Sequence, residues 1–186
     1  LKKIKTKYKI DKLLYNSINM GKGYSIRRAQ KFISQKFIII QDADLEYDPR
    51  DYKKLLNILV KKKFKVVYGS RVLNKNRYKN SNFISNIRVF ANHVLTILSN
   101  IINSQNLSDA HTCYKAFDSK IFKKIKLSEN GFSFCPEITT KVANLNLNIA
   151  EVGISYQGRK YSDGKKISFL DGFRAIITLL KYKKIF

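Results

Sequence analysis

Four consecutive apolar residues, Phe37-Ile38-Ile39-Ile40, run straight into Gln41-Asp42-Ala43-Asp44-Leu45-Glu46-Tyr47-Asp48-Pro49, and this junction constrains the fold more than any other segment. A short apolar run that stops at turn formers reads as a buried strand. It delivers a cluster of carboxylates at its C-terminal end. Carboxylates two residues apart can share one hard divalent cation through oxygen. A cation there can hold a diphosphate and neutralise charge on a departing nucleotide. The same run also suits a solvated acidic turn ahead of a helix. Spacing alone leaves both readings open.

The rest of the chain alternates between helical and strand periods. Residues 25–34 read as a helix and 36–41 as the strand above. Asp48 is placed to cap the next helix, with Pro49 in its first position. Tyr52, Leu55, Leu56 and Leu59 then share one face. A second short strand, 65–68, ends at Gly69, and a polar loop spans 74–82. Ile84, Ile87, Ala91, Val94, Leu98 and Ile101 recur at helical spacing, with Arg88 and Asn92 one turn apart. Residues 112–117 read as a strand and 120–125 as a short helix. Pro136 opens another helix to about Leu145, and 149–156 alternates like a strand. A basic loop, 157–166, precedes Ser168 and Asp171, a capping pair for an amphipathic last helix within 168–186. The first 18 residues read as the remnant of a strand and a turn.

Strands alternating with helices predict an α/β domain: a mostly parallel sheet with helices on both faces. Sites in such sheets lie beyond the carboxyl ends of the strands. Residues 42–46 and 69–71 both fall there, so they are expected to meet.

Lys and Arg number 37 against 13 Asp and Glu, a formal charge of +24 over 186 residues. That surplus suits phosphorylated substrates or anionic head groups, and equally suits lysines solvated over many faces. No helix-turn-helix, RNA-recognition or zinc-finger spacing is present, so no nucleic-acid partner is expected. The two cysteines, Cys113 and Cys135, make neither a disulfide framework nor a thiolate metal site, which fits a reduced, cytoplasmic compartment.

Further segments follow the acidic run in a fixed order. They are Val66-Val67-Tyr68-Gly69-Ser70-Arg71, Asp109-Ala110-His111-Thr112-Cys113-Tyr114-Lys115, Gly131-Phe132-Ser133-Phe134-Cys135-Pro136-Glu137-Ile138-Thr139, and Ile154-Ser155-Tyr156 through Gly164-Lys165-Lys166-Ile167. Gly21-Lys22-Gly23 precedes it. Together they resemble family 2 glycosyltransferases of the GT-A (nucleotide-diphospho-sugar transferase) fold. The nearest likeness is to the polyprenol-phosphate or dolichol-phosphate mannosyl- and glucosyltransferase branch. The similarity runs from about Asn19 to the C-terminus. Members carry a nucleotide-contacting strand and loops upstream that this sequence lacks, and it begins with Leu. The resemblance therefore implies a single partial catalytic domain, residues 1–186, without its N-terminal nucleotide-binding third.

The resemblance also implies roles. Asp44 would be the chief ligand of Mg²⁺ or Mn²⁺, with Glu46 a third ligand and Asp42 facing the metal or the ribose. Arg71 would handle the acceptor phosphate, because a guanidinium contacts phosphate oxygens in a planar, bidentate way. Arg88 is a second candidate for that phosphate. Arg159, Lys165 and Lys166 would close on the donor diphosphate as a basic loop, and Lys22 would lie beside the base and ribose. Asp109 would orient donor hydroxyls or the arginines. His111, Cys113 and Cys135 are expected to be structural. Glu137 would either favour its helix N-terminus or contact the sugar or a basic loop.

The implied reaction is an inverting, metal-dependent transfer of a hexose from UDP-glucose or GDP-mannose to a polyprenyl phosphate. Peripheral contact with the cytoplasmic membrane face through the last helix is part of that expectation. A saccharide acceptor, a non-catalytic basic binding module and an inactive remnant are the alternatives.

Overall fold

The computed structural model describes residues 10–73, 83–158 and 169–184. The 74–82 loop, Ser168, Arg159, Lys165 and Lys166 lie outside the described residues, as does the Arg88 side chain. Among the described residues, the secondary structure begins with helix α1 (Lys22–Gln30), strand β1 (Phe37–Ile40) and a 3₁₀ turn (Pro49–Asp51). Helix α2 (Tyr52–Val60), strand β2 (Val66–Ser70) and helix α3 (Phe83–Asn103) follow. Strand β3 (Lys115–Asp118) leads into α4 (Ser119–Lys124), and α5 (Phe134–Ala143), β4 (Ile149–Gly153) and α6 (Phe169–Tyr182) complete the order. Residues 10–18 form no strand, and the rest of the expected strand remnant, residues 1–9, lies outside the described residues.

The sheet order is β1-β3-β2-β4. β2 and β4 pair in parallel, whereas β3 runs antiparallel to both β1 and β2. Three of the four strands thus point one way, and the sheet is mixed because β3 opposes them. The reason is where the chain re-enters: Lys115, the first residue of β3, pairs with Ile40 and Tyr68, toward the C-terminal ends of β1 and β2. A strand that starts at that edge must run back. Residues 112–114, expected as strand, instead lead irregularly into β3.

Strand period two divides the core into two layers. Val66, Tyr68 and Phe117 face Phe122 of α4 and Phe134, Ile138 and Val142 of α5. Val67, Ala116 and Tyr114 face Leu55 and Leu59 of α2, together with Tyr47. The predicted cap holds: the Asp48 carboxylate accepts the Arg50 N–H at 2.9 Å, one residue after Pro49. Asn100, which interrupts the apolar pattern of α3, grips Leu107 through both its amide groups (2.7 and 3.0 Å). Thr96 Oγ1 accepts the Ala110 N–H at 3.3 Å. α3 thereby fixes the 107–110 turn under the end of β2.

Candidate active site

Because β1, β2 and β4 are co-directional, the segments leaving them emerge on one edge, and the segment entering β3 arrives there too. Residues 41–48, 71–73, 154–157 and 109–114 are gathered as a result. A cleft of about 630 Å³ opens at this edge, lined among others by Gln41, Asp42, Leu45, Glu46, Tyr156 and Gln157. The expected meeting of the acidic run with the end of β2 occurs by way of Tyr156 and Asp109.

The acidic run is a closed turn. Asp44 Oδ1 accepts the Glu46 N–H at 3.2 Å. Between them Leu45 takes φ 61° with its side chain 91% exposed. A left-handed conformation costs a non-glycine residue roughly 1–2 kcal/mol. The exit of β4 holds the turn in place. Tyr47 bridges to Tyr156, the Gln157 N–H donates to the Glu46 carbonyl at 2.9 Å, and the Tyr156 hydroxyl donates to Glu46 Oε2 at 3.2 Å. Asp42 and Glu46 line the cleft; Asp44 is not part of that lining. All three are half-buried carboxylates, the donor type a hard divalent ion prefers. Among the described residues no group of three or more His, Cys, Asp and Glu forms a ready cage. The carboxylates therefore fit an ion that takes one or two protein oxygens and completes its shell with phosphate and water, the usual arrangement for Mg²⁺.

Lys22 reaches the same edge from the first position of α1. Its ammonium sits 2.7 and 2.8 Å from the two Asp42 oxygens and 3.1 Å from Cys113 Sγ. Burial works against its charge, but Cys113, Cys135 and Asp42 outweigh burial and raise its pKa above the ordinary lysine value. Burial pushes the Cys113 thiol up to about 12, so it is no thiolate nucleophile at neutral pH. The flanking glycines have a packing reason. Gly21 has φ 86°, and a Cβ there would stand 2.5 Å from the Asn130 carbonyl oxygen. A Cβ on Gly23 would stand 2.3 Å from that of Glu129. The motif lets α1 press on the 129–131 backbone and aims Lys22 at Asp42.

Arg71 is 9% exposed and Asp109 4%. The carboxylate takes Arg71 Nε at 2.6 Å and Nη2 at 2.8 Å, and also accepts the Arg71 N–H at 3.1 Å. Of the two roles open to Asp109, orienting the arginine is the one this geometry displays. Burial opposes the Arg71 charge, and Asp109 more than offsets it. The guanidinium lies over the Tyr156 ring at 5.2 Å, a cation–π contact. Glu151 of β4 supports the pair from behind by accepting the Ser108 and Asp109 N–H groups at 2.6 and 3.0 Å.

His111 has a buried Nε2 without a hydrogen-bond partner, and burial followed by the Lys115 charge pushes its pKa down to about 4. It is neutral at physiological pH and suits the structural role. Cys135 is buried in the core. Glu137 is fully buried, accepts the Ser128 and Glu129 N–H groups at 2.6 and 3.0 Å, and pairs with Lys141 at 2.6 Å. Its partners belong to the scaffold. Sequence reasoning gave no role to Tyr47, Tyr114, Tyr156, Gln41 or Glu151. Tyr47 stacks on Tyr114 at 4.7 Å and meets Tyr156 edge-on at 5.3 Å, and Gln41 Oε1 accepts from Tyr52 at 2.8 Å. The signal for them was the aromatic spacing beside each strand end.

The family model described as Glycosyl transferase family 2 matches residues 1–126. A low-salt glycan biosynthesis hexosyltransferase of Haloferax volcanii is 26% identical over 160 residues, 86% of this chain and 38% of that protein. The UDP-N-acetylglucosamine–dolichyl-phosphate N-acetylglucosaminyltransferase of Methanococcus voltae is 24% identical over 144 residues, 76% of this chain and 56% of that protein. Glucosyl-3-phosphoglycerate synthase from Mycobacterium tuberculosis, solved with UDP, superposes with a TM-score of 0.63 at 14% identity, covering 87% of this chain and 55% of that one. Its complex with Mn²⁺, UDP-glucose and phosphoglyceric acid gives 0.58 at 13% identity, covering 90% and 56%.

Proposed function

Since the chain belongs to glycosyl transferase family 2 and has the GT-A fold, we propose that it takes part in moving a hexose from a nucleotide-diphosphate sugar to a polyprenyl phosphate, with inversion. The observation that carries this reading is the gathering of Asp42, Asp44 and Glu46 with Lys22 and the Arg71–Asp109 pair at one sheet edge. The relative that acts on dolichyl phosphate, and the UDP and Mn²⁺ bound by the structural neighbour, support it.

Asp44 would hold Mg²⁺ or Mn²⁺, Glu46 would complete the protein's share of ligands, and Asp42, paired with Lys22, would face the metal or the ribose. A bound divalent ion would neutralise charge on the donor diphosphate. Lys22, paired with Asp42, lies beside the base and ribose of the donor. Arg71 is oriented by Asp109 for the acceptor phosphate, with Arg88 as a second contact. Arg159, Lys165 and Lys166, outside the described residues, are assigned to the leaving nucleotide by their charge. The acceptor phosphate is already an anionic nucleophile, so positioning and charge stabilisation suffice without a strong general base.

The test is transfer of label from UDP-glucose, GDP-mannose and UDP-N-acetylglucosamine to polyprenyl phosphate in detergent, using the full-length protein. Chelator-sensitive lipid labelling, lost in Asp44→Ala, is the expected result. A folded protein that labels a saccharide but no lipid phosphate overturns the acceptor assignment.

A further inference from the structure

Strand β4 and its exit brace both halves of the site. Upstream, Glu151 holds the 108–109 turn, and that turn holds Arg71 through Asp109 (2.6 and 2.8 Å). Downstream, three backbone N–H groups tie the exit to three different segments. The Ile154 N–H donates to the Ser70 carbonyl at 3.0 Å, that of Ser155 to Asp51 Oδ2 at 2.6 Å, and that of Gln157 to the Glu46 carbonyl at 2.9 Å. Tyr156 sits among these anchors and is itself confined. Its ring meets that of Tyr47 edge-on at 5.3 Å, and the Arg71 guanidinium lies over it at 5.2 Å. Gly158 leaves the ring its space: a Cβ there would stand 3.1 Å from Tyr156 Cε1 and 3.2 Å from its hydroxyl oxygen. Held this way, the hydroxyl donates to Glu46 Oε2 at 3.2 Å. One side chain therefore touches the acidic turn with its hydroxyl and Arg71 with its ring.

We infer that Tyr156 is a positioning residue that couples the acidic turn to Arg71, so that a change at Glu46 is felt at the guanidinium. The inference deepens the proposed function: it rests on Glu46 serving the donor side and Arg71 the acceptor side, and names what holds their spacing. A hydrogen-bonded partner orients a metal-ligating carboxylate, and losing such a partner typically costs ten- to a hundred-fold in metal affinity or activity. A ring beneath a guanidinium attracts it electrostatically. Asp109 grips the edge of the Arg71 guanidinium and Tyr156 underlies its face, so the group is constrained in two directions. Transfer between two bound groups depends steeply on their placement, and an error of about 1 Å can cost a hundred-fold in rate. Tyr156 acts through its two neighbours and is neither acid nor base in this role. Tyr47 is close by, but it is buried in the core with its hydroxyl accepting the Cys113 N–H at 3.1 Å, so its loss reads as core damage.

The test follows the Arg71 Nε–H resonance of the full-length protein by NMR, assigned with Arg71→Lys, because that signal reports the guanidinium without turnover. Glu46→Ala is expected to shift it when Tyr156 is present and to leave it unmoved in the Tyr156→Leu background. Equal shifts in both backgrounds overturn the inference, and so does no shift in either. Tyr156→Phe keeps the ring and removes the hydroxyl, so it should also lose the response to Glu46→Ala; a response like that of the wild type refutes the coupling. Mn²⁺ alone, titrated by electron paramagnetic resonance, is expected to bind roughly ten-fold more weakly to both Tyr156 variants. Tyr156→Leu should in addition raise the KM for polyprenyl phosphate roughly three- to ten-fold, which Tyr156→Phe should not. Folded variants, checked by circular dichroism, that leave both constants unchanged reduce Tyr156 to a packing residue. Wild-type protein that binds no Mn²⁺ sinks the metal assignment, and wild-type protein that labels no lipid sinks the acceptor assignment. In either case the resonance comparison still decides the coupling.

Discussion

Removing Asp109 is the sharpest test of how the site is held. In Asp109→Ala the Arg71 guanidinium stays in a pocket where it is 9% exposed, and it loses the contacts at 2.6 and 2.8 Å, while its own N–H loses the one at 3.1 Å. Breaking a buried pair by deleting one partner costs about 3–5 kcal/mol, because the remaining charge is desolvated without compensation. For a domain of this size each kcal/mol shifts the melting temperature by about 2–4 °C, so a drop of roughly 6–20 °C is expected. Urea unfolding followed by circular dichroism gives the free energy directly, with an unchanged m-value showing that the native state stays compact. The apolar double variant Arg71→Met/Asp109→Leu is expected to recover most of the loss, and the cycle should return at least about 2 kcal/mol of coupling. A loss below about 1 kcal/mol in Asp109→Ala would refute the reasoning, since that is the worth of a solvated surface pair.

Three further outcomes follow from the geometry. His111 has a folded pKa of about 4 against an ordinary value of 6.5. Between those values the unfolded chain binds the proton and the folded one does not, so stability falls as pH drops from 6.5 to 4; His111→Gln should flatten that acid limb, by at most about 3 kcal/mol. An NMR titration showing His111 charging near 6.5 would contradict this. Gly23→Ala should cost about 1–3 kcal/mol by overpacking against the Glu129 carbonyl, read as a lower melting temperature; an unchanged melting temperature would mean that α1 is loosely seated. Lys22→Met should raise the KM for the nucleotide sugar roughly ten-fold, the loss of one charge-assisted contact, and should cost about 1–3 kcal/mol of stability because Asp42 loses its partner. An unaltered KM would remove Lys22 from the donor site.

Much of this arrangement was legible in the chain, and the boundary of what was legible has physical causes. The Ile38–Ile40 run announced β1 because apolar packing lies on both faces of it, although its residues are only half-buried, and Asp48-Pro49 announced the next helix because its cap is local. The direction of β3 was hidden, since alternation reports which side a residue faces and says nothing about which way a strand runs. Lys115 also obscured that strand: it lies fully buried with its Nζ 2.9 Å from the Ala110 carbonyl and 3.7 Å over the Tyr68 ring, a solution no propensity anticipates. Asp109 offered two roles in sequence, and its partner became visible only when α3 carried the 107–110 turn back beneath β2. The packing reason for Gly21 and Gly23 was not legible either, since both answer to the 129–131 backbone, a contact made across the whole domain.

The insertion of β3 between β1 and β2 also sets an order of events during synthesis. Strands β1 and β2 follow one another in the chain yet share no ladder; each pairs with β3, made much later. At about 5–20 residues per second, β1 leaves the ribosome on the order of ten seconds before its partner. Throughout that interval Phe37–Ile40 is an apolar segment with open backbone groups, the kind of template that pairs with foreign strands. Closing the loop to β3 is a long-range event, slow by the usual relation between contact order and rate. The acidic turn cannot take its working shape until still later, when β4 emerges and Tyr156 and Gln157 anchor Glu46. Among the described elements the site is thus one of the last to form.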